Sequence, residues 1–200
     1  MGKVTAGATM SLDGFIAGPN DSGFDLLFKW YQAGDVEVPF DDDTAGVPPS
    51  HVAPDSAELM RREQADWGAL VVGRHLYDLT NAWNGRHPLN VTTVVLTHRP
   101  PEDRPGEDDF VFVTDGIEAA VAKAKEIAGD RNVGVNGGQM ARQALEAGLL
   151  DEIGVELVPV ILGSGTRLLA DYTSGPIEFE GPILTVNGKG VTHLRYRVVK

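Results

Sequence analysis

The sequence contains no cysteine. That excludes disulfide bridges and thiolate metal sites, and it fits a reducing compartment. Cations are scarce: 17 Lys and Arg stand against 29 Asp and Glu, a formal net charge of −12. This balance argues against nucleic acid or an anionic membrane as a partner, because both call for a basic surface. A site for a phosphorylated ligand would have to gather its few arginines locally. No apolar run approaches the roughly 20 residues that span a bilayer. The opening MGKVTAGATMSLDG lacks the apolar stretch of a secretory leader. A cytoplasmic protein without membrane contact is expected. Several motifs are also missing. There is no G-x-G-x-x-G after the first strand and no Walker lysine motif, so a standard Rossmann or P-loop site is not expected. Gly163-Ser164-Gly165 has the wrong spacing for a nucleophile elbow. The five histidines show no metal spacing, and no metal is expected.

What is present reads as one domain over residues 1–200. A chain of this length hides roughly 70% of its unfolded surface. The most informative stretch is Asn132–Leu150. Val133–Val135 is β-branched and stops at Asn136-Gly137-Gly138, after which Met140, Ala141, Ala144 and Leu145 fall on one helical face. Gly148 closes that helix. Two residues without Cβ admit a ligand close to the backbone, and the helix start behind them offers N–H groups to a pyrophosphate. A plain tight turn explains the glycines equally well.

In chain order, Lys3–Met10 is a strand ended by the Asp13-Gly14 turn. Pro19–Pro54 is rich in Pro, Gly and Asp, and reads as an insertion: a lid, a binding loop or a disordered connection. Its aromatics Phe24, Phe28, Trp30 and Tyr31 are expected to cover a pocket, a subunit interface or the core edge; its Asp41-Asp42-Asp43 run reads as a solvated loop. Asp55–Trp67 reads as a mostly exposed helix with Ser56 near its cap. Gly68–Val72, Thr92–Thr97 and Phe110–Val113 are buried strands, and Ile117–Ala128 is an amphipathic helix. Asp151–Leu162, Ile177–Val186 and Val191–Val199 finish the chain as strands, the last two joined at Asn187-Gly188. In the final strand His193, Arg195 and Arg197 form a wet face. The order implies a three-layer α/β fold with a mixed, mostly parallel central sheet and antiparallel C-terminal strands.

Ligands in such sheets collect at the carboxyl ends of parallel strands. Here those ends carry Ser11–Gly14, Gly73-Arg74, Thr97-His98-Arg99 and Asn136–Met140. Arg74 and Arg99 each follow a buried strand, and a guanidinium grips phosphate bidentately.

Five segments in this order, ATMSLDGFIAG (Ala8–Gly18), VVGRHLYD (Val71–Asp78), VVLTHRP (Val94–Pro100), VNGGQMARQAL (Val135–Leu145) and DEIGVELVPVILGSG (Asp151–Gly165), carry a resemblance. The chain resembles the dihydrofolate-reductase-like superfamily, and within it the reductase domain of the riboflavin-biosynthesis deaminase-reductase. The resemblance implies an NADPH-dependent reductase akin to 5-amino-6-(5-phosphoribosylamino)uracil reductase, acting on a small-molecule substrate. It implies that Gly73 and Arg74 hold cofactor phosphate and that Thr97, His98 and Arg99 flank the adenosine 2′-phosphate. Gly137, Gly138, Gln139 and Met140 would lie under the pyrophosphate, and Ala8, Ile16 and Gly18 along the nicotinamide. Asp13 is the candidate for orienting substrate or delivering a proton, and equally a simple turn residue. Ala8-Thr9-Met10 lacks the basic residue that the family carries ahead of the turn, and the acidic insertion replaces its arginine- and tryptophan-bearing stretch. Dihydrofolate, another pterin or a carbonyl compound is therefore an alternative substrate, and a silent NADP-binding module an alternative role. A homodimer is also open, through the C-terminal strands or the aromatic island.

Overall fold

The computed structural model describes residues 2–40, 47–103 and 109–200. The Asp41–Asp43 run lies outside them. In chain order the elements are β1 (Val4–Ser11), β2 (Phe15–Ala17), α1 (Phe24–Leu27), β3 (Val36–Val38), β4 (Ser50–Val52) and α2 (Pro54–Asp66). Then come β5 (Trp67–Gly73), α3 (Arg74–Leu79), β6 (Thr93–Leu96), β7 (Phe110–Val113), α4 (Ile117–Ala128), β8 (Asn132–Asn136) and α5 (Gln139–Glu146). The chain ends with β9 (Glu152–Val158), β10 (Thr166–Arg167), β11 (Phe179–Gly188) and β12 (Val191–Val198).

Eight strands form one sheet in the order β11-β12-β9-β1-β8-β5-β6-β7. The pairs from β9 to β7 are parallel, and β12 is antiparallel to both β9 and β11. This is the expected mixed sheet with an antiparallel end. Side-chain alternation separates its two faces. Val4, Ala6, Val71, Val133, Val135, Ile153 and Val155 point to one side, where α4 and α5 close the main core. The α4 helix contributes Ile117, Ala120, Val121, Ala124 and Ala128, the face that the sequence predicts.

The opposite face is less apolar. Thr5, Gly7 and Thr9 of β1, Gly134 of β8 and Gly154 and Glu156 of β9 line a cavity there, under α2. Gly7 pairs with Gly154 and Gly134 with Thr5, so small residues sit side by side on three strands. At Gly134 a Cβ would come within 2.6 Å of Leu70 Cδ2, so glycine is what lets Leu70 lean across β8. Two smaller cores complete this layer. Leu27, Trp30, Val38, Val52 and Ala57 pack beneath the insertion, and Tyr77 of α3 packs with Val72, Val95 and Phe110.

Three local expectations are corrected. First, α2 begins on Pro54 with Ala53 at its cap, and no side chain caps it. Ser56 is instead buried in the first turn, where its hydroxyl lies 2.9 Å from His193 Nε2. The helix is therefore docked on the sheet. Second, the face of β12 read as wet is covered over part of its length: His193 is buried and Arg195 is 17% exposed, while Arg197 stays in solvent at 53%. Polar side chains there meet polar side chains of α2, so alternation of polarity does not report alternation of solvent. Third, Asn187 and Gly188 stay paired with Thr192 and Val191, and the reversal falls on Lys189-Gly190. Gly190 supplies the positive φ of 79° that this two-residue loop requires.

Candidate active site

One cavity of about 1860 Å³ runs along the carboxyl ends of β1, β8, β5 and β6 and continues under α2. Such a volume holds a dinucleotide together with a second small molecule. Its outer rim gathers Gly73, Arg74, Thr97, His98, Arg99, Gly137, Gly138, Gln139 and Met140, with Ala8 and Ile16 deeper in. Eleven of the twelve positions expected around a cofactor thus share one surface, counting these nine and two.

The rim is assembled by short bonds. Arg74 donates through Nε to both Asp78 carboxylate oxygens, at 2.8 and 2.9 Å, and through Nη1 to the Arg99 carbonyl at 2.8 Å. Thr97 Oγ1 donates to the same carbonyl at 3.0 Å and accepts from the Arg99 N–H at 3.3 Å. These bonds fix the turn after β6, while the Arg99 side chain stays 84% exposed. On the other side, Gly138 has a φ of 79° and starts α5 without a side-chain cap. Its own N–H is taken by the Leu168 carbonyl at 2.7 Å, so it is the following turn of α5 that faces the cavity uncapped. A Cβ at Gly137 would stand 2.8 Å from Ile16 Cδ1 and 3.2 Å from Ala8 Cβ. Glycine is required there because the β1 side of the cavity comes that close.

Gly18 stands apart. It closes the turn after β2, donating its N–H to the Ser22 carbonyl at 2.7 Å, and does not line the cavity. Its neighbours Ala17 and Asp21 do, and Asp21 reaches His75 Nε2 at 2.9 Å. Asp13 also stands outside the lining. Its carboxylate accepts from Ser11 Oγ at 2.6 Å and from the N–H groups of Leu162 and Gly163 at 3.1 and 2.6 Å. The Ser11 hydroxyl and these backbone donors hold its pKa down to about 2. A carboxylate so committed ties two loops together and carries no proton to deliver at neutral pH. The expected acid role therefore loses its geometric basis, and the turn role remains.

Under α2 the cavity brings together groups that the sequence offers only separately. Glu63 of α2 pairs with the Arg195 guanidinium, which also lies 3.9 Å from Glu152. Burial raises the Glu63 pKa against the opposing pull of Arg195. Glu156 of β9 lies in register with Thr9 on one side and His193 on the other. Burial, then the nearby Glu63 charge, pushes its pKa up to about 7, with Arg195 opposing. His193 goes the other way, to about 4, through burial and then Arg195, so it is neutral at pH 7. Tyr31 is also raised, by burial and then by Glu156 and Glu63. Only a helix-by-strand alignment could have revealed this cluster; in sequence Glu63 and Arg195 are 132 positions apart.

The aromatic island contributes to the wall of this inner end. Phe24, Phe28, Trp30 and Tyr31 line the cavity, with Trp30 and Tyr31 stacked at 4.1 Å and the Trp30 ring edge-on to His193 at 5.1 Å.

Comparison with known proteins follows the same lines. The family described as RibD C-terminal domain matches residues 2–192. No curated protein matches the sequence significantly. Among solved structures, a protein from Shewanella sp. PV-4 ascribed to riboflavin biosynthesis is similar at a TM-score of 0.71 and 20% identity, covering 99% of each chain. The Thermotoga maritima diaminohydroxyphosphoribosylaminopyrimidine deaminase/5-amino-6-(5-phosphoribosylamino)uracil reductase is similar at 0.62 and 15% identity, with 99% of this chain matching 57% of that one. Dihydrofolate reductase from Enterococcus faecalis, complexed with NADP(H) and RAB-propyl, is similar at 0.58 and 16% identity, covering 99% and 97%. At these identities the likeness speaks for the fold, which is dihydrofolate-reductase-like. No helix among the described residues is long and apolar enough to cross a membrane.

Proposed function

Because the chain belongs to the RibD C-terminal domain family, we propose that it is an NADPH-dependent reductase of a small heterocyclic or imine substrate. One relationship carries this reading: Arg74 donates to the Arg99 carbonyl, which puts both arginines on the same rim as the uncapped start of α5. In a chain of net charge −12, two cations gathered beside a helix N-terminus suit a phosphate-rich ligand. Arg99, with its guanidinium in solvent and a loose 3.5 Å contact to Glu102, is free to turn toward a 2′-phosphate. That favours NADPH over NADH.

The residues present fit the cofactor. A Cβ at Gly137 would intrude on Ile16, and Gly138 holds the positive φ of 79° at which side chains are strained. Gly73 lies where a Cβ would only touch Met140, at 3.6 Å, so its glycine is not forced by packing and suits close approach of a phosphate. The cofactor supplies the hydride when bound. The chain's own part is to hold both reactants in contact, shield them from water and provide a proton. For the last task the candidate is Glu156, which lines the cavity where Asp13 does not; a carboxyl titrating near neutrality can alternate between receiving a substrate N–H and returning a proton. On this reading residues 1–200 act as a single reductase domain, and the described aromatics of the 19–54 insertion, Phe24, Phe28, Trp30 and Tyr31, are wall of its cavity.

Reduction of a dihydropterin is a second reading, favoured by Glu63 on α2 facing the cavity. Following the near-ultraviolet absorbance of NADPH separates the two. Consumption with a small heterocyclic imine, and not with dihydrofolate, supports the first. Consumption with dihydrofolate alone supports the second, and no NADPH binding at all contradicts both.

A further inference from the structure

The two ends of the cavity differ in charge. The rim carries Arg74 and Arg99, whereas the inner end carries Glu63 and Glu156, with Glu152 buried 3.9 Å from Arg195 and off the lining. The cations packed against these carboxylates each meet a carboxylate, although the Arg195 Nε–H is buried without a partner among the described residues. Arg195 is held by Glu63 and approached by Glu152, and Lys3 meets Glu152 at 2.5 Å. The Arg195 guanidinium lies across β9 at Gly154, 3.5 Å from where a Cβ would be. His193 adds no charge, because burial keeps it neutral.

Glu156 is the exception in this cluster. Among the described residues its carboxyl is hydrogen-bonded only by its own backbone N–H, and it opens on the cavity. The groups facing it are Glu63 from α2, Tyr31 from the turn before the insertion's strands, and His193 and Arg195 from β12. A carboxylate accepts several hydrogen bonds, so this one keeps acceptor capacity open toward the cavity. A ligand N–H or a ligand cation would satisfy it. A phosphate would meet Glu156 and Glu63 as like charges, and the Arg195 charge it would need is already shared with Glu63, leaving only the buried Nε–H unpartnered among the described residues.

Resting on the reductase reading, we infer that the inner end takes a flat, phosphate-free acceptor, neutral or cationic, one of whose N–H groups is received by Glu156. Trp30, Tyr31 and Phe28 supply the flat wall, and Gly7 and Gly154 keep the sheet side low. The charge of the acceptor is thereby selected by the strand β9 rather than by the cofactor rim.

The test uses the full chain and two ring probes of similar size, 4-aminopyridine, a cation at neutral pH, and orotate, an anion. Each is titrated calorimetrically without cofactor, and NADPH is titrated separately, so that loss of the rim site and loss of the inner site are read independently. We expect 4-aminopyridine to bind at least about tenfold more tightly than orotate. Glu156→Gln is expected to shrink that ratio by about tenfold while leaving NADPH affinity unchanged. In the unaltered protein, 4-aminopyridine affinity should rise between about pH 6 and about pH 8, as Glu156 ionises and the probe stays cationic. This second measurement stands even if the variant folds poorly. Equal binding of the two rings, preference for orotate, or affinity for the cation that is flat with pH would overturn the inference. Selective ring binding without NADPH binding would leave the pocket and remove the reductase reading.

Discussion

Asp13 Oδ2 accepts the backbone N–H of Gly163 at 2.6 Å, joining the turn after β1 to the loop after β9 across 150 positions of sequence. The same carboxylate holds Leu162 N–H and the Ser11 hydroxyl. Asp13→Asn keeps the shape but loses charge and one acceptor oxygen. The expected result is a lower melting temperature with NADPH affinity unchanged and turnover within about threefold of the parent. The folded-state pKa of Asp13 is depressed, so its contribution is complete above the unfolded value near 4 and is lost as pH falls through about 2. Melting curves of parent and variant should therefore converge toward pH 2. A loss of turnover of three orders of magnitude with unchanged melting would restore Asp13 to the chemistry.

Gly137→Ala tests the close approach. The added methyl would stand 2.8 Å from Ile16 Cδ1 and 3.2 Å from Ala8 Cβ, so β2 or the glycine turn must move. Overpacking of this kind costs about 1–3 kcal/mol. We expect that loss in chemical denaturation and a weakening of NADPH binding by about tenfold or more.

Arg195→Met tests the buried pair. Arg195 is 17% and Glu63 21% exposed, and removing the cation leaves Glu63 and Glu152 beside each other's field. Breaking one side of such a pair costs roughly 3–5 kcal/mol. Adding Glu63→Gln to that variant should recover a measurable part of the loss, because no unpaired charge then remains on α2. Urea denaturation of the three variants gives the coupling directly; strict additivity would mean that the pair is not coupled.

Glu156 makes stability depend on pH in the opposite sense to Asp13. Its folded pKa, about 7, exceeds the unfolded value near 4.3, so between the two the folded state binds more protons and stability falls as pH rises. The loss should be on the order of 2 kcal/mol between about pH 4.5 and about pH 7.5. Glu156→Gln is expected to remove that slope and to raise the melting temperature at pH 8. An unchanged slope would show that the carboxyl is solvated in the cavity.

The fold was legible because its signals are local. Val133–Val135 before Gly137-Gly138, the Ile117–Ala128 stripe and Phe110–Val113 each state their structure within a few residues, and each lies where the pattern puts it. The rim was legible for a related reason: arginines and glycines immediately after buried strands reach the same edge of any parallel sheet. The inner end was not. Glu63, Glu156, His193 and Arg195 come from α2, β9 and β12, and only strand order and register bring them together. Polarity alternation misled for His193 and Arg195 because the polar face of β12 is covered by a helix that is itself polar there. Asp13 stayed open between turn and acid because a carboxylate in a turn looks the same in sequence whether it faces a ligand or, as here, the amides of a loop 150 positions away.

The account depends most on the rim, and titrating NADPH and NADH against the full chain and its Arg74→Ala variant tests that most directly. NADPH should bind in the micromolar range, about tenfold or more tighter than NADH, and the variant should lose most of that preference because the Arg99 turn loses its anchor. No detectable binding of either nucleotide at millimolar concentration, or equal affinities that Arg74→Ala leaves untouched, would contradict it.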